Sequence, residues 1–215
     1  GSVGGGLWKG VYTSDSSGDF ITWTNLTPST VSNIAVSTVA QSANNPNILY
    51  VGTGESWSYN VDAINGDGIF KVTLGGADPI WTNVTPSSGG IIDSKFGNIS
   101  RIIVDPANEN IVLASTLANN GQSYIFKSSD GGTSWTEVEQ GGNRIQQIVA
   151  APSNFNIQYA AVRTKPVLKS TDAGDTWKAL PEVGAPSEFG IASNSYDRYE
   201  LAVSHTDPNK IYAGI

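Results

Sequence analysis

Ser128-Ser-Asp-Gly-Gly-Thr-Ser-Trp135 returns 42 positions later as Ser170-Thr-Asp-Ala-Gly-Asp-Thr-Trp177. A catalytic motif is needed once, whereas a phrase that returns at an interval marks a joint in a repeated structure. Gly132 and Gly174 suit a positive φ inside a tight turn. Asp130 and Asp172 can accept backbone N–H groups there, and Ser128 and Ser170 add a hydroxyl. Trp135 and Trp177 bring apolar surface for packing between repeat units. The phrase reads as the hairpin between two strands and requires no substrate.

Two further phrases recur around it. The first is a Pro/Asn turn leading into an apolar strand: Asn45-Pro-Asn-Ile-Leu-Tyr-Val-Gly52, Asp105-Pro106 with Asn110 to Ala114, Ala151-Pro152 with Asn156 to Ala160, and Asp207-Pro-Asn-Lys-Ile-Tyr-Ala-Gly214. The second is a short strand ending in Lys: Gly6-Leu-Trp-Lys9, Gly68-Ile-Phe-Lys71, Tyr124-Ile-Phe-Lys127 and Pro166-Val-Leu-Lys169. Each unit therefore reads as four strands, the fourth beginning near Trp23, Trp81, Trp135 or Trp177. The Trp spacings of 58, 54 and 42 set a minimal unit of 42 residues, with insertions in the others. Four-stranded units of this size fit β-propeller blades. The predicted fold is all-β, a β-propeller of four-stranded antiparallel blades: a half blade over 6–26, blades over 33–85, 99–139 and 145–180, and a half blade over 199–215.

Composition agrees. The 215 residues include 24 Gly and 10 Pro, and only 14% are charged, the profile of a turn-rich β protein. A net charge of −7 without a basic cluster argues against a nucleic-acid partner. No apolar run approaches a membrane span. There is no Cys, hence no disulfide framework, and no Met even at position 1. Lys210 to Ile215 reads as the middle of a strand. The expectation is a piece of a longer protein, cut from a larger propeller, with the remainder of its own chain as a partner; the alternative is that the two half blades combine into one four-stranded blade and close a very small ring.

Ser-x-Asp-x-Gly-x-x-Trp resembles the Asp box, or BNR repeat, of bacterial sialidases, sortilin-type receptors and many secreted propellers. Two copies match fully. A third looks stretched, from Ser14-Asp15 to Gly18 and Trp23, and a fourth is reduced to Gly75, Gly76 and Trp81. Together with Asn45 to Gly54 the pattern resembles the sortilin-like propellers of large secreted proteins of Bacteroidetes-type bacteria. The resemblance implies a secreted or cell-surface bacterial protein. It specifies fold more than function, because the Asp box occurs in enzymes, receptors and structural proteins.

In a four-stranded meander the strand 1–2 and 3–4 turns share one face, and the repeated turn phrases fall there. The insertions fall on the opposite face: 54–68, 85–98 and 180–198. Loops on a rigid scaffold are where ligands bind, so Glu55, Trp57, Tyr59, Asp62, Asp93, Lys95, Phe96 and Tyr196 are the candidate ligand-binding residues. Trp57 either stacks on a ligand or anchors its own loop. Asp62, Asn65 and Asp67 faintly suggest calcium, but the spacing is not that of an EF-hand loop, and a solvated acidic loop accounts for them equally. No other cofactor or metal is implied.

Chemistry is not singled out. His205 is the one histidine and sits at a turn, away from any serine–base pairing. Arg101, Arg144, Arg163 and Arg198 do not form the arginine motif of sialidases. The sequence points first to a non-catalytic recognition or structural module that binds a glycan or protein through the insertion-bearing face, with no catalytic residue assigned. The alternative is a glycoside hydrolase of the xyloglucanase type, a family of Asp-box propellers with two catalytic acids. Asn25, Asn83 and Asn98 each begin an Asn-x-Ser/Thr triplet and are read as turn chemistry.

Overall fold

The computed structural model describes residues 5–31, 35–55, 64–118, 120–163, 165–180 and 200–214. Three four-stranded antiparallel sheets form complete blades. The first holds β3 (Val36–Gln41), β4 (Ile48–Thr53), β5 (Ile69–Thr73) and β6 (Ile80–Asn83). The second holds β9 (Asn98–Asp105), β10 (Asn108–Leu117), β11 (Ser123–Ser128) and β12 (Thr136–Gln140). The third holds β13 (Ile145–Ala151), β14 (Asn154–Val162), β15 (Leu168–Ser170) and β16 (Lys178–Ala179). Each follows sequence order across the sheet. Two-stranded sheets flank them: β1 (Trp8–Asp15) with β2 (Gly18–Asn25), and β17 (Glu200–Val203) with β18 (Ile211–Gly214). A small hairpin, β7 (Ser87–Ser88) and β8 (Ile91–Ile92), and one 3₁₀ turn over Ser94–Phe96 lie between the first two blades.

The first strands β3, β9, β13 and β17 pack successively side by side, which makes the architecture a propeller. The second strands of the three complete blades are buried on both faces over their apolar runs, which explains those runs. Ile48 and Tyr50 of β4 join a core shared with the second blade, whereas Leu49 and Val51 face Leu7 and Leu26 on the other side. Val112 and Ala114 of β10 enter the first of these cores, and Leu113 enters the core shared with the third blade. Ala160 and Val162 of β14 likewise face back, and Tyr159 and Ala161 face forward to Leu201.

Hydroxyls and lysines stitch successive blades. The Tyr50 hydroxyl donates to the Glu109 carbonyl at 2.9 Å, and the Tyr159 hydroxyl to the Pro208 carbonyl at 2.9 Å. Lys127 Nζ reaches Asp175 at 2.7 Å and Lys169 Nζ reaches Asn209 Oδ1 at 2.9 Å, each in the following unit. The Pro/Asn turns are Asx turns: the side-chain oxygens of Asn45, Asn108, Asn154 and Asp207 each accept the N–H two residues on.

The recurring hairpin has one geometry in both copies. Ser128 Oγ accepts the Gly132 N–H at 2.8 Å and donates to Asp130 Oδ1 at 2.8 Å. Asp130 then accepts the Ser134 N–H at 2.9 Å on Oδ1 and the Ser134 hydroxyl at 2.6 Å on Oδ2. Ser170, Asp172, Gly174 and Thr176 repeat the pattern at 2.9, 2.8, 2.9 and 2.6 Å. Gly132 and Gly174 take positive φ, 92° and 85°.

The stretched third copy is corrected. Asp15 pairs directly with Gly18, so Ser16-Ser17 close a two-residue hairpin and Asp15 Oδ1 accepts the Ser17 N–H at 2.7 Å. The two eight-residue strands stay paired to the tip, leaving no room for the wider loop. Trp23 lies mid-strand opposite Gly10.

Asn25 and Asn83 serve turn chemistry, as expected. Asn25 Oδ1 accepts the Thr27 N–H, and Thr27 Oγ1 accepts the Leu7 N–H at 2.8 Å. Asn83 and Thr85 repeat this, with Thr85 Oγ1 accepting the Ile69 N–H at 2.7 Å. Each pair ties the exit of strand four to the start of strand three. Asn98 instead is buried at the start of β9.

Candidate functional site

The insertion-bearing face is built from the exits of second strands and the entries to first strands. The first insertion leaves β4 at Thr53, whose Oγ1 accepts the Asp67 N–H at 2.9 Å and donates to the Gly68 carbonyl at 2.9 Å. Glu55 and Ile64 continue the closure: Glu55 N–H donates to the Ile64 carbonyl, and Glu55 Oε2 accepts the Ile64 N–H at 3.0 Å. The loop thus leaves and returns through one cinched neck.

That neck is joined to the second insertion. The Gly66 N–H donates to the Gly97 carbonyl at 2.6 Å, and Asn98 Nδ2 to Asn65 Oδ1 at 3.4 Å. The approach is close enough that a Cβ on Gly54 would lie 2.8 Å from Gly66 N, and Gly54 holds φ at 101°. Asn98 is buried, and its Oδ1 has no hydrogen-bond partner among the described residues. It is a carbonyl acceptor at the root of both loops, suited to a hydroxyl or N–H donor.

The candidates divide as follows. Glu55 sits in the neck. Asp93 Oδ1 accepts the Lys95 N–H at 2.9 Å and caps the 3₁₀ turn. Lys95 Nζ contacts Glu137 at 2.6 Å and lies 4.8 Å from the centre of the Tyr124 ring; the hydrogen bond to Glu137 raises its pKa. Phe96 is buried rather than presented at the loop surface. Its ring stacks on Phe126 at 4.3 Å and meets Trp135 edge-on at 6.0 Å, filling the space between two blades. Trp57, Tyr59, Asp62 and Tyr196 lie outside the described residues, as does Arg198. Arg144 and Arg163 meet at the start of β13 and the end of β14, where the Arg163 N–H donates to the Arg144 carbonyl at 2.8 Å. His205 is exposed in the turn between β17 and β18.

Asn98 is not among the candidate ligand-binding residues, and Asn65 enters the sequence reading only with the faint calcium pattern. Asn98 was legible only as part of an Asn-x-Ser triplet, and a contact between two insertions has no local sequence signature. Among the described residues no group of three or more His, Cys, Asp or Glu side chains is disposed to hold a metal ion. No helix among them is long and apolar enough to cross a membrane. An apolar groove of about 360 Å³ opens on the opposite face, lined by Ala40, Ile102, Val104, Pro106, Ala151 and Phe155. It offers little polar chemistry to orient a ligand.

Known proteins fit this architecture. The chain is 28% identical to a xyloglucanase of Hypocrea jecorina (strain QM6a), over 73% of this chain and 21% of that protein. Among solved structures, a GH74 enzyme of Niastella koreensis matches with a TM-score of 0.50 at 26% identity, covering 80% of this chain and 28% of that one. An ancestral GH74 enzyme matches with a TM-score of 0.53 at 23% identity, covering 80% and 22%. No protein-family profile matches the chain. The chain thus spans less than a third of the length of these relatives. They agree with the β-propeller fold and with its being a part of a larger propeller arrangement.

Proposed function

We propose that the chain is part of a glycoside-hydrolase propeller of the xyloglucanase type, and that its insertion-bearing face contacts a glucan-based polysaccharide. The observation that carries this reading is the 28% identity to a xyloglucanase over 73% of the chain, with the same strand architecture recurring in a GH74 enzyme. It favours the hydrolase over the stand-alone recognition module as the setting of this face. The hairpin phrase is read as the Asp box, and the protein as secreted or surface-exposed in a bacterium. A glycosidase needs two carboxyls at a defined separation, roughly 6.5–9.5 Å for inversion. Glu55, Asp62 and Asp93 are candidates on this face for one of the pair, the second coming from elsewhere on the face or from the remainder of a longer chain.

One observation favours binding without catalysis by this segment. Glu55 and Asp93 already spend carboxylate oxygens on backbone N–H groups, as loop-holding groups do. The deciding experiment is reducing-sugar release from xyloglucan, with retention on immobilised xyloglucan measured on the same protein. Release that disappears in Asp62→Asn or Asp93→Asn assigns the hydrolase. Retention without release assigns glycan recognition to the face, and neither activity removes the polysaccharide reading.

A further inference from the structure

The first two insertions of the candidate face touch through consecutive residues on both sides. Gly66 donates its N–H to the Gly97 carbonyl at 2.6 Å, and Asn98 Nδ2 donates to Asn65 Oδ1 at 3.4 Å. Gly66, Gly97 and Asn98 are buried there, whereas Asn65 is exposed. The contact is a ladder of two rungs, one of backbone and one of side chains.

Asn98 holds its place against a local penalty. It is 6% exposed, and its Oδ1 has no hydrogen-bond partner among the described residues. That oxygen lies against Gly54, where a Cβ would fall 2.5 Å from it. A buried acceptor without a donor is destabilising, and an apolar side chain of similar size would avoid the loss. Such a side chain would also remove the rung to Asn65. A local rule broken at the root of two loops marks a position where placement counts for more than stability.

The ladder sits between two acids of this face. Glu55 follows Gly54 directly, and Asp93 caps the 3₁₀ turn that ends at Gly97. We infer that Asn98 is a positioning residue: through Asn65 it locks the first insertion to the second, so that Glu55 and Asp93 are presented to a polysaccharide as one fixed surface. The role rests on the glucan reading of this face, whereas the lock itself does not. Asn98 touches no ligand in this role and acts through Asn65.

The lock has a chemical readout that needs no ligand. Asn65-Gly66 is one of two Asn-Gly steps in the sequence, the other being Asn120-Gly121. In such a step the Gly backbone nitrogen attacks the Asn Cγ, the side-chain nitrogen leaves as ammonia, and water opens the resulting succinimide to Asp or isoAsp. The ladder opposes this at Asn65, because it engages the Gly66 N–H and Asn65 Oδ1 together.

Asn98→Ala is expected to speed the conversion at Asn65 severalfold by peptide mapping, to leave Asn120 at its wild-type rate, and to melt cooperatively. Retention on immobilised xyloglucan is expected to weaken roughly twofold to tenfold, the contribution of one net hydrogen bond. Asn65→Ala should weaken it similarly and the double variant no further, since residues acting through one contact are not additive. If Asn98→Ala does not fold, Asn98→Asp keeps the shape, removes the donor and is read by the same outcomes. An unchanged rate at Asn65 overturns the lock. Faster conversion with unchanged retention, or additive losses in the double variant, overturns the positioning role. A wild-type chain without retention removes the glucan reading and the positioning role with it, and the conversion rates then decide the lock alone.

Discussion

Trp135 donates its indole N–H to the carbonyl of Val84 at 2.8 Å, and Trp81 donates in the same way to Leu26 at 2.8 Å. In both cases the acceptor lies three residues after the Trp of the preceding unit, so the repeat carries its own inter-blade latch. Trp177 departs from it. Its indole N–H turns back to Gly174 in its own hairpin at 3.2 Å, and Val138 only packs against the same core. Trp135→Phe should therefore cost at least about 1 kcal/mol through the lost hydrogen bond, before any loss of packing. Urea denaturation measures it; a neutral result means the latch holds no stability.

Ser170 is buried, and its Oγ serves the Gly174 N–H and Asp172 together. Ser170→Ala leaves a buried N–H unsatisfied, which costs roughly 1–3 kcal/mol. Asp172→Ala should lower the melting temperature while leaving retention on xyloglucan unchanged. Loss of retention at an unchanged melting temperature would remove the structural role assigned to the hairpin.

Ala173 is the one non-glycine with positive φ among the described residues, 57°, and Gly131 fills its place in the other copy at 71°. A non-glycine in this region costs about 1–2 kcal/mol. Ala173→Gly should raise stability by roughly 0.5–1 kcal/mol after the added unfolded-chain entropy is subtracted. Gly131→Ala should do the reverse and more, because its Cβ would fall 2.9 Å from both Asn110 Oδ1 and Lys71 Nζ. Paired thermal melts of the two variants test the sign.

The blades were legible because their cues are local: Asx turns, apolar runs and a turn phrase all act within about ten residues. The β1–β2 hairpin departs from the expected stretched turn phrase because Ser14-Asp15 and Gly18 have the composition of that phrase without its spacing. Ser134 and Thr176 place a hydroxyl directly before the Trp in both copies, a position that the pattern Ser-x-Asp-x-Gly-x-x-Trp leaves open. By position Phe96 reads as a loop residue, but its burial follows from Phe126, which is far away in sequence. The meeting of Gly66 with Gly97 is likewise a product of packing between insertions, and no sequence window contains both.

Thr85 joins two strands through one oxygen. It is buried, accepts the Ile69 N–H, and leaves Gly68 so little room that a Cβ there would meet Thr85 Cγ2 at 2.6 Å. Thr85→Val keeps the shape and removes the acceptor, so it should cost roughly 1–3 kcal/mol. Thr85→Ser should recover most of that loss. Equal loss in both variants would mean that the methyl group rather than the hydroxyl matters.

Stability should fall at both ends of the pH scale, for different reasons. Hydrogen bonds from the Ser134 hydroxyl and N–H, and then from Ser128, hold Asp130 down at about 2. The Thr176 hydroxyl and N–H do the same for Asp172, also at about 2. An unfolded Asp titrates near ~3.9, so both carboxylates contribute stability above that value and lose it as pH falls through about 2. Burial, followed by the charges of Glu109 and Asp130, pushes the Tyr50 hydroxyl up to about 12. Its contribution is complete below the unfolded value of ~10 and is lost as pH rises from there through the folded value. Melting temperature against pH should show both limbs. Asp130→Asn combined with Asp172→Asn should lower the neutral plateau and flatten the acid limb, and Tyr50→Phe should flatten the alkaline one. An acid limb of unchanged slope in the double variant would place the acid-sensitive groups elsewhere in the molecule.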